Sequence, residues 1–580
     1  MAPVADTTLV PGKVDWKGKP ARKNKHGGAL NSWFIIALFA ADSFATLALA
    51  VNIVTYFSNV MYFQLTEASD VLTNYLGTSY VVAIVAAYIS DAYLSRYKVI
   101  LVSALLEILG FVLLTVQAKS SKFKPVPCDV YVDPASCVKV HGRNSSFLYA
   151  SIYLIAVGTA GLKVCVAAHG ADQFDGEDPR EAKQRSSYFN WLFLGMGAGS
   201  TASLILVSWL QTDVGWGWGF GLSAIGSFVG TVIFVVGIPR YRVHAVPFSD
   251  PISPILKVFV SAVINSNHSL PSNSKELYEI DSHGDSDKQV EFLPHTDHFR
   301  FLDKAAIRGA RTSCRVTHVE SAKILLGMIP IFLTVLVMEL CFVEFVSYSI
   351  TQGLTMDPRI GKIKATATPF LPFLFTVLLV PVYDRLFVPL ARRLTGLPAG
   401  VTPLQRVGAG VVFSILALAA GAVLEVRRKK VAEDRDMVDA FLVLQVLPIS
   451  FFWLSVQYFF YALSQVFAFV GLLEFFYSEA PRALRASATY LLWFSVGLGY
   501  FLSNAVVGWV NDATKNNTAT GGWLVGFNLN RNHLNYFYWM LAVLSFANFL
   551  CFVFFAMCYK YRSKTPARVT DDGAVDQNAV

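Results

Sequence analysis

The sequence predicts an all-α membrane protein with twelve transmembrane helices in two six-helix bundles, and three observations carry that reading. Hydrophobic residues make up 54% of the 580 and charged residues 15%, with a mean hydropathy of +0.48, too apolar for a soluble globule of this length. Apolar runs of about 20 residues, enough to cross about 30 Å of hydrocarbon as a helix, recur along the chain. A long polar stretch divides them into two sets.

In chain order, residues 1–28 are polar and basic and precede a full-length apolar run. A cleaved signal would need a short apolar segment ending at small residues, so they read as a cytosolic N-terminal tail. The first bundle, 29–239, holds runs near 31–57, 71–93, 98–118, 146–168, 187–210 and 216–238. Residues 240–318 include SHGDSDKQ and SNHSLPSNSK, a composition that cannot bury a core. They read as a cytosolic linker with room for one amphipathic helix. The second bundle, 319–562, holds runs near 322–350, 366–387, 405–425, 448–476, 486–510 and 535–558, and 563–580 form a cytosolic C-terminal tail. Six spans plus six around a long central loop is the layout of the major facilitator superfamily, in which the substrate sits at the midplane between the halves.

Loop charges give the orientation. With the N-terminus inside, the clusters Lys13 to Lys25, Arg96 with Lys98, Arg180 with Lys183 and Arg185, Arg385 with Arg392, Arg393 and Arg406, Arg482 with Arg485, and Lys560 with Arg562 all face the cytosol. Arg427, Arg428, Lys429 and Lys430 are the exception, read as a helical extension of span nine beyond the headgroups. The formal charge of +8 therefore belongs to loops at a lipid bilayer and implies no nucleic-acid partner. A plasma-membrane location is the expectation, with a vacuolar or other endomembrane as the alternative. On the outer side, Cys128 and Cys137 share a loop where an oxidising environment permits a disulfide, and Asn144 and Asn516 lie in glycosylation sequons, whereas the sequon at Asn267 falls in the linker. No zinc-ligand spacing, P-loop or nucleophile elbow occurs, so neither a metal nor an enzymatic activity is expected. No oligomeric state is indicated.

The functional centre is expected in Ile155 to Asp175, IAVGTAGLKVCVAAHGADQFD. Lys163 lies about nine residues, or 14 Å of helix, before the polar loop. An ammonium at that depth costs about 3 kcal/mol or more, so it should face a water-filled substrate path rather than lipid. Gly158 and Gly161 flank it at a spacing that lets a neighbouring helix approach closely. His169, about 120° away around the helix, is read as structural. After span two, Asp91, Arg96 and Lys98 place an acid and two bases at the cytosolic mouth, the composition of a charge latch that breaks as a carrier rocks. A solvated basic loop has the same composition.

Several stretches, taken in order, resemble the proton-dependent oligopeptide transporter family and its plant nitrate/peptide branch. They are Thr73-Asn-Tyr-Leu-Gly-Thr-Ser79, the run SDAYLSRY, GLKVCVAAHGADQFD, Ser187-Tyr-Phe-Asn-Trp191, Pro403-Leu-Gln-Arg406, Gln457-Tyr-Phe459 and Gly471-Leu-Leu-Glu-Phe-Phe-Tyr-Ser-Glu-Ala-Pro481. The resemblance covers about residues 27 to 562. The flanks HGGALNSW, LLTVQA and FYWMLAVLSFANFLCFVFFAMCYKYRS are most similar to the abscisic acid and gibberellin carriers of that branch. It implies a symporter in which intramembrane carboxylates take up a proton with the substrate, protons being the only coupling ion and no cofactor being required.

The sequence departs from that family at the proton sites. Where members carry Glu-x-x-Glu-Arg in span one, this chain has Phe39-Ala-Ala-Asp-Ser-Phe-Ala-Thr46, leaving Asp42 as the only acid. The usual span-ten glutamate is Gln465, which hydrogen-bonds but does not titrate. Span seven offers replacements in Glu339 and Glu344, about 140° apart around the helix. Glu344 is expected to pair with Lys163 across the halves in one state and to be protonated in another. Lys163 with Tyr80, Trp453, Gln457, Tyr458, Tyr461, Gln465 and Trp493 suits a small organic anion better than a zwitterionic peptide, whose amino end needs an acid. In the branch's nitrate carrier a span-seven histidine holds nitrate; the matching position here is Phe342. The expected function is proton-coupled import of an anion such as abscisic acid or a gibberellin. The alternatives are an uncoupled facilitator, a nitrate transporter of the same family, or a non-transporting sensor that signals through the linker.

Overall fold

A computed structural model describes residues 9–63, 65–126, 138–175, 178–244, 252–271, 277–278, 293–310, 312–357, 370–396, 400–439, 446–481, 484–518, 521–525 and 528–561. Among them, helices long and apolar enough to cross a membrane are Ala29–Asn59, Val71–Ala92, Arg96–Lys119, Arg143–Ala171, Pro179–Val214 and Trp216–Arg240 in the first half. Val316–Leu354, Phe370–Thr395, Pro403–Asp434, Phe451–Glu479, Arg485–Asn517 and Leu534–Cys558 follow in the second. These are spans one to twelve below. Each matches one apolar run of the sequence, and most are lengthened by polar turns that windows of hydropathy leave out. Span nine runs unbroken to Asp434, so the Arg427 to Lys430 cluster is helical and the span count stands.

Local sequence sets the helix ends that matter for the site. Asp178 caps span five by accepting from the Arg180 amide at 2.9 Å, with Pro179 in the first turn, where a missing N–H costs nothing. Thr402 and Gln405 form a capping box at the start of span nine, with Thr402 N donating to Gln405 Oε1 at 3.1 Å and Gln405 N to Thr402 Oγ1 at 3.3 Å. That box fixes the turn carrying Arg406. In span eight Pro381 is followed by a π-helical turn, Tyr383–Phe387, which re-aims the side chain of Asp384.

The described part of the N-terminal tail carries strands of its own. Strand β1, Leu9–Val14, lies between β2, Pro20–Arg22, and β3, Val243–His244, in an antiparallel sheet, so this segment is held beneath the end of span six. The face of the molecule carrying this sheet is called the sheet face below. Within the linker, helix Ser253–Ile264 buries Ile255, Val258 and Ala262 against Leu302, Ala305, Ala306, Val319 and Ala322. Leu256, Val260 and Val263 stay exposed on its other side.

The apolar cores are not distributed evenly between the two faces. One continuous core on the sheet side joins both halves, from Ile35, Ala83 and Phe189 to Val335, Phe469 and Leu492. Toward the opposite face each half keeps a core of its own, one around Tyr56, Phe111 and Ile152 and the other around Phe345, Leu418 and Tyr538. The halves are therefore closed together at the sheet face and separate toward the other. Cys128 and Cys137 lie outside the described residues.

Candidate functional site

Lys163 stands where the two halves meet. Its Nζ is 5.1 Å from the ring centre of Tyr80 on span two and 5.6 Å from that of Trp493 on span eleven, within cation–π range of both. Tyr80 reaches this position because Gly497 leaves room: a Cβ there would sit 2.8 Å from the ring. Tyr490 holds the backbone of the same turn, its hydroxyl donating to Tyr80 O at 2.5 Å. Among the described residues no carboxylate forms an ion pair with Lys163, and the acids acting on it from farther off are Asp42 and Glu107. The depth of Lys163 follows from close helix contact. Cβ atoms at Gly158 and Gly161 would lie 2.6 Å from Glu107 N and 2.0 Å from Ser103 Oγ, so span four meets the backbone of span three at Gly158 and a side chain of span three at Gly161.

The span-seven acids both meet span eleven. Glu344 accepts from Ser503 Oγ at 2.8 Å and does not pair with Lys163 in this conformation. Glu339 is buried beside Gly499, and its Oε1 has no donor among the described residues. It acts on Tyr80, Tyr461 and Tyr500, placing it next to the aromatic cage. Phe342 packs edge-on against Tyr461 with ring centres 5.3 Å apart, and Tyr461 in turn bonds Gln465. These form a wall on the second half's side, with no cation of its own.

Three other residues proposed from sequence sit elsewhere. Gln457 donates to Ser349 Oγ at 2.9 Å and Gln352 Oε1 at 3.2 Å, and Gln352 continues to Glu425 at 2.8 Å. With Arg428 and Asn530 they form a buried polar chain inside the second half. Tyr458 is buried beside it against Phe345. Trp453 is 43% exposed and lies under Arg427, 3.9 Å from ring centre to guanidinium carbon. Sequence reasoning passed over Glu107, a fully buried acid in span three. Its cue was a lone carboxylate at mid-span, the same signal that singled out Lys163. His169 is enclosed by Phe234 and Tyr241, as a structural residue should be.

A family model described as POT family matches residues 97–524. The chain belongs to the POT family. Two Arabidopsis thaliana proteins are similar along their whole lengths. Protein NRT1/PTR FAMILY 4.6 is 38% identical over 578 residues, covering 95% of this chain and 97% of its own, and Protein NRT1/PTR FAMILY 4.5 is 36% identical, covering 96% and 98%. Among solved structures, an auto-inhibited POT family peptide transporter superposes with a TM-score of 0.61 at 21% identity, covering 93% of this chain and 99% of that one. A POT family transporter bound to 5-aminolevulinic acid gives 0.54 at 12% identity, covering 95% and 98%. At those identities the structures show the fold, which is that of the major facilitators. The chain is thus a multi-pass membrane transporter.

At the sheet face, polar residues of the two halves bond to one another in a junction called the latch below. Asp91 accepts from Arg96 Nη2 at 2.9 Å and, across the bundle interface, from Ser487 N at 2.9 Å and Ser487 Oγ at 2.8 Å. Arg96 also pairs with Asp172. Asp172 in turn accepts from Tyr477 of span ten at 2.9 Å and from Lys13 of β1 at 3.0 Å. Lys98 is exposed and takes no part. A second junction centres on Asp384, which accepts from Ser187, Asn190 and Trp191 of span five, while Arg406 donates to Asn190 at 2.6 Å. These donors belong to two stretches that carry the family resemblance, Ser187 to Trp191 and Pro403 to Arg406. Asp384 itself gives no sequence cue, since an acid near a span end reads as an ordinary loop charge.

Proposed function

We propose that this transporter is a proton-coupled symporter that imports a small organic anion, such as abscisic acid or a gibberellin, across the plasma membrane. The observation that carries this reading is Lys163, a cation held at the junction of the halves against two aromatic rings and without an ion-pair partner among the described residues. A half-buried ammonium with no carboxylate in direct ion-pair contact is costly, so an anion entering the junction gives it a close counter-charge. The rings of Tyr80 and Trp493 suit a flat or terpenoid body attached to a carboxylate. Buried acids on both sides, Asp42 and Glu107 on one and Glu339 on the other, provide proton sites. With the sheet face in the cytosol, as the basic clusters favour, the latched conformation opens its junction to the outside, ready to receive substrate.

Uptake of labelled abscisic acid, gibberellin and nitrate, measured at outside pH 5.5 and 7.5 with and without a protonophore, tests this. Saturable, acid-stimulated, protonophore-sensitive uptake that disappears in Lys163→Ala supports the reading, the variant also controlling for diffusion of the neutral weak acid. An unaltered Lys163→Ala refutes it. Gln465 and the lost span-one motif favour a second reading, an uncoupled facilitator, for which uptake is saturable and indifferent to the protonophore. Nitrate is disfavoured by Phe342, whose ring packs on Tyr461 and has no donor to offer.

A further inference from the structure

We propose that Glu107 and Asp42 share one proton and act as a single dyad, the coupling element that stands in for the span-one motif this chain lacks. The inference rests on the proton-coupled reading above. Glu107 is 0% exposed and Asp42 4%, and the two side chains face each other within hydrogen-bonding reach. Among the described residues neither Glu107 oxygen nor Asp42 Oδ1 has a donor that would satisfy it as a carboxylate. Two adjacent buried carboxylates cannot both remain ionised, whereas a carboxyl donating its O–H to the facing carboxylate satisfies both. One proton between them joins one oxygen of each acid.

The surroundings match a dyad that holds one negative charge. Lys163 of span four is the cation acting on both acids. Tyr75 of span two faces both, and Ser227 of span six faces Glu107. With one proton on the dyad the cluster is neutral, one shared negative charge against one ammonium. Close packing holds it together, since Gly158 brings Glu107's backbone against span four beside Lys163. When an anion takes the charge of Lys163 for itself, the dyad's remaining charge is left uncompensated in apolar surroundings. A second proton then moves from water on the open side to the dyad carboxylate, so one proton enters with one anion. No bond other than O–H forms or breaks.

The charge count makes an unusual prediction for single variants. With two acids and one lysine, the resting site holds one proton. With either acid neutralised, the remaining carboxylate pairs with Lys163 and holds none. Infrared difference spectra of the purified full-length chain at pH 7.5, without substrate, should show a protonated-carboxyl band, equivalent to one carboxyl per chain, in wild type minus Glu107→Gln. An equal band is expected in wild type minus Asp42→Asn, and Glu107→Asp should retain it. Glu339 and Glu344 cancel in each difference. A proton residing on one acid alone survives neutralisation of the other, so retention of the band in either variant overturns the dyad. The two variants are independent, so misfolding of one leaves the other decisive. In parallel, wild-type proteoliposomes are tested for abscisic acid uptake driven by an inward proton gradient. Loss of the band in both variants with no gradient-driven uptake overturns the coupling role and the symport reading together, leaving only the shared proton. Gradient-driven uptake with the band retained in a variant overturns the dyad alone.

Discussion

Replacing Asp384 with alanine should release the sheet face. Asp384 accepts from Ser187 Oγ at 2.8 and 2.9 Å, from Asn190 Nδ2 at 2.7 Å and from Trp191 Nε1 at 3.1 Å, so three donors of span five hold one carboxylate of span eight. When the halves part, all four groups meet water, and each bond contributes only its net value of about 1 kcal/mol. The half-buried carboxylate argues against using the larger figure for charged pairs. Three such bonds sum to about 3 kcal/mol, or about a hundredfold in the ratio of latched to parted molecules. Arg406 still holds Asn190, so some of the junction survives. Spin labels at Lys183→Cys and Arg393→Cys, exposed positions at the sheet-face ends of spans five and eight, report the opening. The exposed Cys551 and Cys558 must first be replaced. The parent should give mainly a short distance, and Asp384→Ala should raise the ratio of long- to short-distance molecules about a hundredfold. Superimposable distributions, with unchanged thermal stability, would refute the assignment of Asp384 as a latch.

Three more expectations follow from the same structure. Burial in the latch pushes the Lys13 ammonium down to about 8, against the opposing pull of Asp172. The docked segment therefore sheds its proton before a free one does, so docking strengthens as pH rises from about 8 toward the ordinary lysine value of about 10.4 and is level below 8. A spin label at Lys17→Cys should become less mobile over that window; growing mobility there contradicts the sign. Arg428→Ala removes the fully buried partner of Glu425, 2.6 Å away, and should cost about 3–5 kcal/mol in detergent unfolding, whereas Arg427→Ala, which loses an exposed contact with Trp453, should cost about 1 kcal/mol or less. Equal losses would mean that the polar chain is not what Arg428 sustains. Finally, Asn516 is exposed while the Asn144 amide donates to Lys122 O at 2.9 Å, so a glycosidase-sensitive gel shift should vanish in Asn516→Gln and persist in Asn144→Gln.

The twelve spans were legible because a bilayer demands long apolar runs whatever the packing, and because span ends carry polar caps that bracket them. Lys163 was legible for a related reason: a charge at mid-span is expensive enough to need an explanation from sequence alone. Glu107 met the same criterion, but its partner, Asp42, lies on another helix, and no local pattern joins spans one and three. The placements of Gln457, Tyr458 and Trp453 show a different limit. They belong to the expected span, but a helix that is apolar all round has no polar stripe to say which face looks inward. Helix rotation comes from neighbours, here Ser349, Gln352 and Arg427, which are distant in the chain.

Contacts within a half and contacts between halves use different chemistry, and the difference bears on transport. Inside the first half, spans three and four meet through Gly158 and Gly161 at distances that leave no space for a methyl group. Such an interface depends on complementary shape and cannot slide without opening voids, which makes the half a rigid body. Across the halves on the sheet face, the latch is built from Asp91, Asp172, Asp384 and hydroxyl, amide or indole donors. Water can replace each of those partners at small net cost, so the latch can be remade in every cycle. Lys163 lies between these regimes: it is fixed to the rigid half by span four and faces the moving half through Trp493. An anion that bridges Lys163 to the opposite wall therefore contributes binding energy that depends on how close the halves are, which is the differential affinity a carrier needs if substrate is to bias its rocking.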